Sequence, residues 1–410
     1  MRKIELLSPA GDLEKLETVF HYGADAAYIG GKFLNLRALS KNFDEEELEK
    51  AVTLAHNLNK KIFVTLNAIP HNPELETLPE YIRYLESIEV DSVIVSDLGV
   101  FNLVKKYSNI PITISTQANN TNWASVKMWE DLGAKRVILA RELSLKEISE
   151  IRQKVPEIEL EVFIHGAMCI SISGRCLLSN YLTGRDANRG KCTQPCRWKY
   201  YLMEEKRPGE YFQVFEDEWG SYIMNSKDLC TVEFLDKIIE TGVDSLKIEG
   251  RMKSSYYAGI TTKVYREAID SYLEGTYNDD KIKEWKDELE NVSHRQYTSG
   301  FYLNKPKSNS QNYETSSYIR RYNFIGIVKD KISENSYEVD VKNKIKTGEK
   351  IEVIRSKMEN INLLLSEIIN YESNEIIEQA NPNQRIILKL DSSVQIGDLI
   401  RSLRTDVTAT

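Results

Sequence analysis

Short apolar runs alternate with amphipathic helical stretches eight times in the first 275 residues, and this rhythm constrains the fold more than any other feature of the chain. Residues 4–10, IELLSPA, read as a buried strand closed by Pro9 and Gly11. Asp12 can then cap a helix in which Leu13, Leu16, Val19 and Phe20 share one face. DAAYIGG, KIFVTLNAI, DSVIVSD, PITISTQA, KRVILARE, IELEVFIHG and VDSLKIEGR repeat the pattern, each with a helical stretch behind it. Near-continuous apolar strands fit a parallel sheet covered on both faces. Eight such units match an α/β fold of the (β/α)8 TIM-like barrel type, usually about 250 residues. A doubly wound open sheet is the alternative, disfavoured because no G-x-G-x-x-G follows the first strand.

The rhythm predicts a barrel over residues 1–275, interrupted after strand seven by an insertion at 167–227. The insertion contains two hairpin-like runs, WKYYLMEE and EYFQVFEDEWGSYIM, and helix seven is expected only at KDLCTVEFLDKIIETG, with Cys230 near its start. Residues 276–321 read as a helical or irregular connector, and 322–410 as a small C-terminal antiparallel β-barrel domain of short alternating strands. The composition, 41% hydrophobic and 28% charged, suits a soluble globular protein, and no apolar run reaches the length of a membrane span. The N-terminus lacks a signal-peptide core, so a cytoplasmic location is expected.

Four of the five cysteines fall between residues 161 and 197, in EVFIHGAMCISISGRCLLSNYLTGRDANRGKCTQPCR. Six Lys/Arg stand against one carboxylate between Arg175 and Lys199, in a chain of net charge −8. In a reducing compartment, clustered thiols point to metal or redox chemistry rather than structural disulfides. Only Cys192 and Cys196, four apart, resemble half of a zinc site. Spacing alone leaves zinc, an iron–sulfur cluster, a nucleophile beside His165 and inert buried thiols open. Polar groups that end barrel strands should line the reactive face. They include Tyr28, Asn67, Asp97, Gln117, Arg141, His165, Glu249 and Arg251.

The cysteine segment, together with ELLSPAG, YIGG, STQA, LKIEGRM and HRQYTSGF, resembles the collagenase-like peptidase family, peptidases of unknown catalytic type. The resemblance reaches to about residue 305, and an additional C-terminal β-domain occurs in longer members. It is similar above all to members that hydroxylate the wobble uridine of tRNA without dioxygen. That resemblance implies a 4Fe–4S cluster on Cys169, Cys176, Cys192 and Cys230, with Cys196 as an extra thiol, and prephenate as the hydroxyl source. It also implies a tRNA anticodon loop as partner and no membrane. On barrel position, His165 and Glu249 are candidates for handling protons and Arg251 for clamping an anion. Arg175, Arg189, Gln117 and Asn67 are candidates for holding the cosubstrate. Arg185, Lys191, Arg197 and Lys199 add cations for phosphates, and Tyr200, Tyr201, Tyr211 and Phe212 could stack a base or pack a hairpin. The family name carries the rival expectation, a peptidase acting on collagen-like chains. The sequence has neither a G-x-S-x-G elbow nor an H-E-x-x-H motif.

Overall fold

The computed structural model describes residues 4–36, 42–168, 171, 176, 178–195, 201–202, 212–213, 227–303 and 321–404. The strands β1 (Glu5–Pro9), β2 (Ala26–Ile29), β3 (Lys61–Leu66), β4 (Ser92–Val95), β5 (Ile112–Ile114), β6 (Arg136–Ile138) and β7 (Glu159–Ala167) pair in parallel in chain order. Then come β8 (Tyr201–Leu202) and β9 (Phe212–Gln213), an antiparallel pair within the insertion, β10 (Asp228–Cys230), and β11 (Ser245–Ile248). Because β11 pairs in parallel with both β1 and β7, the sheet closes into an eight-stranded barrel.

Helices α1 (Leu13–His21), α2 (Glu45–Asn57), α3 (Asn72–Ser87), α4 (Leu98–Tyr107), α5 (Trp123–Asp131) and α6 (Leu145–Lys154) cover the barrel, with α7 (Leu178–Thr183) in the insertion. They are followed by α8 (Leu235–Glu240), α9 (Ser255–Leu273) and α10 (Asp279–Leu289). Their starts are written in the sequence: Asp12 accepts from the Lys15 amide, and capping boxes join Asp44 to Glu47 and Ser144 to Glu147. Helices α1–α6 cover the barrel with apolar stripes, as Leu16, Val19 and Phe20 do on α1. Among the described residues no helix is long and apolar enough to cross a membrane.

One expected helix start is a strand instead. Residues 228–230 form β10, which runs antiparallel to β7 with Cys230 opposite His165, and the helix begins only at Leu235. β7 outruns β11 beyond His165, so the backbone of residues 166–167 needs hydrogen-bond partners that β10 supplies. β12 (Tyr297–Thr298), from the HRQYTSGF run, extends this flap beside β10. The stretch expected as a connector thus packs on the barrel, and Trp285, Leu289, Val292 and Tyr302 belong to the barrel's core.

The C-terminal domain comprises β13 (Tyr322–Ser333), β14 (Ser336–Val341), β15 (Ile345–Lys346), β16 (Lys350–Ile354) and β17 (Ile361–Leu364). It ends with β18 (Ile368–Asn370), β19 (Ile376–Ile377), β20 (Gln379–Ala380), β21 (Arg385–Lys389) and β22 (Leu399–Leu403). Eight of these strands make one curled antiparallel sheet around a core of its own that includes Val339, Val353, Ile386 and Ile400. The domain leans on α1 and α9. That explains why α9 is buried on nearly all sides, with Tyr256 stacked on Phe324 and Lys263 donating to the Arg355 carbonyl.

Candidate functional site

A cavity of about 230 Å³ opens at the C-terminal ends of the barrel strands. Tyr28, Thr65, Asn67, Gln117, Arg141, Phe163, Lys247, Glu249 and Arg251 line it from the barrel, and Cys176 and Cys192 from the insertion. Among the described residues its charged lining is three cations, Arg141, Lys247 and Arg251, against the carboxylate of Glu249.

Arg251 is 3% exposed and held from two sides, donating to Thr65 Oγ1 at 2.9 Å and to Asn35 Oδ1 at 2.6 Å. Glycine at position 30 makes room for it, since a Cβ there would come 2.3 Å from Arg251 Nη1. The Tyr28 hydroxyl lies 3.2 Å from Glu249 Oε2 and 3.1 Å from the Ile248 carbonyl oxygen, so its one hydrogen is shared between them at the rim. Arg141 donates to the Ala167 carbonyl and lies 4.5 Å over the Phe163 ring. Among the described residues Asn67 Oδ1, buried in the wall, has no hydrogen-bond partner. Gln117 sits on the 3-10 turn Thr116–Ala118 that follows β5.

The thiols divide. Cys176 accepts the Leu178 amide and Cys192 the Gln194 amide, each at 3.4 Å, and both face the cavity. Two sulfurs that share a pocket and each accept a backbone N–H fit thiolate ligation of a cluster or metal. Cys230 is on the other side of β7, buried beneath α9, where burial pushes its thiol up to about 11. Cys169 and Cys196 lie outside the described residues, as do Arg175, Arg197, Lys199, Tyr200 and Tyr211. Among the described residues no three His, Cys, Asp or Glu side chains stand together as a metal site.

His165 is placed away from the cavity. The β7–β11 register shifts at Lys247 and Ile248, so that Phe163 pairs with Lys247 but His165, two residues on, pairs with Ile248. This bulge turns the imidazole out of the barrel. It lies among the rings of Tyr257, Tyr265 and Tyr297 and is 1% exposed. Burial, then the positive fields of His294 and Lys253, hold it down at about 3, so it is a neutral ring at physiological pH. Arg189 pairs with Glu74 on α3 and is not part of the cavity lining, and Asp97 caps α4 by accepting from Gly99 and Val100. Arg185 and Lys191 are exposed in the insertion.

Among the residues not singled out from the sequence are one in the cavity lining and one behind β7 beside Cys230. Lys247 looks like an ordinary polar residue inside a strand, yet it is part of the cavity lining. Its position two residues before Glu249 on one strand face was the available signal. Tyr265 lies in mid-helix, and nothing local marks its contact with Cys230.

A closed α/β barrel with a thiol-bearing insertion over a cation-lined mouth defines a barrel protein with its chemistry at the strand ends. The model of peptidase family U32 matches residues 11–312 and that of the U32 C-terminal domain matches residues 320–401. The chain belongs to peptidase family U32. It is 41% identical to tRNA hydroxylation protein P of Escherichia coli K12 over 411 residues, 90% of each chain. It is 38% identical to tRNA hydroxylation protein P1 of Bacillus subtilis, over 98% of this chain and 95% of that one. A protein named collagenase, from Porphyromonas gingivalis, is 28% identical over 96% of each chain.

Proposed function

We propose that this protein is a cytoplasmic tRNA-modifying enzyme that hydroxylates the wobble uridine to 5-hydroxyuridine without dioxygen. The mouth cavity carries the reading, because it joins two thiols to three cations at the face where barrels react. Relatives named for tRNA hydroxylation, similar along most of the chain, support the reaction class. Cys176 and Cys192 at the mouth, with Cys169, would hold a 4Fe–4S cluster, which supplies one-electron chemistry when bound, while Cys230, the fourth ligand that the family resemblance implies, is buried outside the cavity lining. Prephenate would be the hydroxyl source, its two carboxylates suited to a lining in which cations outnumber carboxylates. Arg251, fixed by Asn35 and Thr65, would orient one of them, with Asn67 and Gln117 as neighbouring polar groups. The anticodon loop offers its bases unstacked, and exposed Arg185 and Lys191 are available to its phosphates.

A peptidase built on a nucleophile and a histidine base would need a histidine at the cavity. All five histidines are described, and none is among the residues that line the cavity. His21 and His56 pair with Asp398 and Asp91, His71 stands at the start of α3, and His165 and His294 are buried. Two measurements test the proposal. Anaerobically purified protein should be brown, with absorbance near roughly 400 nm that is lost in Cys176→Ala. Mass spectrometry of tRNA nucleosides from a deletion strain should show loss of 5-hydroxyuridine derivatives. A colourless zinc protein, or unchanged nucleosides in a strain without a redundant copy, would overturn it.

A further inference from the structure

The barrel interior below the cavity carries charge where barrels of this type are usually filled by branched aliphatic side chains. Arg136, at the start of β6, donates to Glu5 Oε1 at 2.6 Å and to Glu161 Oε2 at 2.9 Å. The other oxygen of Glu161 accepts from Lys247 Nζ at 3.0 Å. The side chains of Arg136, Glu161 and Lys247 are 5%, 0% and 4% exposed, so a chain of buried charges runs up the barrel axis and ends at the cavity.

An ammonium has three N–H donors. Glu161 takes one from Lys247, and the faces of Tyr28 and Phe163 lie 4.3 and 5.6 Å from the nitrogen. Among the described residues no second oxygen accepts from it, although it lines the cavity. Glu161 is itself shared with Arg136, so the carboxylate only partly offsets the desolvation of Lys247. A buried cation with uncommitted donors facing a cavity is built to meet an anion.

We propose that Lys247 is the floor anchor of the mouth cavity, donating to the carboxylate of a small organic acid while Glu161 fixes the ammonium. The proposal rests on the reading of this cavity as the substrate site and adds a binding residue to it. Asn67 Oδ1, buried without a partner among the described residues, is the complementary acceptor for a hydroxyl of the same molecule. A neutral pyrimidine at the floor would leave the excess of cations uncompensated, which favours the acid. The volume, about 230 Å³, lies below that of drug-sized sites and suits a small acid.

Calorimetric titration of the purified full-length protein with prephenate, with malonate and with uridine tests the anchor. The intact protein should bind at least one of the acids, and Lys247→Met should weaken that binding by about thirtyfold or more. Lys247→Arg should restore part of the affinity, and Glu161→Gln should give an intermediate loss with the lysine still present. Equal acid binding by the intact protein and Lys247→Met would overturn the anchor, as would an intact protein that binds uridine and neither acid. Should Lys247→Met fail to fold, unchanged affinity in Glu161→Gln together with Lys247→Arg would overturn it as well. Hydroxylation is judged separately. Lys247-dependent acid binding with unchanged tRNA nucleosides in the deletion strain upholds the anchor and sinks the tRNA reading. Lost 5-hydroxyuridine with Lys247-independent acid binding does the reverse.

Discussion

The hydroxyl of Tyr265 lies 3.8 Å from the sulfur of Cys230 and 3.3 Å from Nδ1 of His165, so one phenol on α9 ties β10 to β7. It also accepts the Thr231 amide at 3.1 Å and reaches the Ile164 carbonyl at 3.0 Å. In Tyr265→Phe the ring packing survives. The Ile164 carbonyl keeps its bond from Thr231 Oγ1, but the buried Thr231 amide loses its acceptor. The expected cost is about 1–3 kcal/mol in urea unfolding. Alkylation of Cys230 in the folded protein should quicken as β10 loosens. An unchanged midpoint and alkylation rate would show that pairing with β7 and β12 holds the strand without the phenol.

Gly30→Ala should damage the site while sparing the fold. The added methyl would meet the guanidinium of Arg251 and push it off Thr65 and Asn35. Hydroxylated nucleoside should fall at least about tenfold in complementation, since misplaced charge recognition forfeits transition-state stabilisation. The melting temperature should move only a few degrees. Full complementation would mean that Arg251 need not hold its present position.

Acid should undo the charged barrel interior in a defined window. Burial raises the carboxyl of Glu5, but Arg136 and Lys61 outweigh it and the net shift is downward; Glu159 behaves likewise beside Arg136 and Lys135. A carboxyl lowered in the folded state binds its proton more readily once unfolded. Its contribution is therefore complete above the ordinary value of 4.5 and is lost as pH falls through the lowered folded values. Arg136→Met should cost about 3–5 kcal/mol near neutrality by leaving Glu161 short of a partner, and should flatten the slope of stability against pH below 4.5. A variant with the slope of the original protein would place the acid-sensitive groups elsewhere.

The barrel was legible because its signals are local: apolar strands, capped helices and a repeat length that eight β–α units satisfy. The mouth was legible through Arg251, Glu249, Asn67 and Gln117, which end their strands and do line the cavity. His165 escaped the pattern because a single-residue bulge inverts the strand's alternation, and no composition signals a bulge. Cys230 escaped it because Asp-Leu-Cys suits a helix start as well as a strand. The overhang of β7, a property of two distant segments, decides between them. Lys247 was hidden for a third reason. A lysine in a buried strand acquires meaning only when Glu161, on the neighbouring strand, is found beneath it.

The two domains should unfold together because one guanidinium spans them. Arg401 on β22 makes a two-pronged bond to Glu288 of α10 at 2.6 and 2.9 Å, bonds to Glu352 of β16 at 2.7 Å, and reaches the Tyr256 hydroxyl of α9 at 3.1 Å. Its side chain is 3% exposed, and the Tyr322 ring covers it at 4.2 Å. Around it, Tyr22 donates to the Ile354 carbonyl and accepts the Leu399 amide, and His21 pairs with the fully buried Asp398. Arg401→Ala removes the shared cation and leaves Glu288 and Glu352 facing each other across the interface, a loss of about 3–5 kcal/mol. That exceeds what any one of the remaining contacts contributes, the neutral hydrogen bonds at about 1 kcal/mol each and the partly exposed Lys342–Glu14 pair at about 1 kcal/mol or less. Scanning calorimetry should therefore show one transition for the original protein and two for Arg401→Ala, the earlier one belonging to the C-terminal sheet. Arg401→Lys should fall between, since an ammonium keeps the charge but cannot serve Glu288 with two parallel bonds. A single transition at the original temperature in Arg401→Ala would show that Tyr22, His21 and the apolar contacts of α9 suffice to couple the domains.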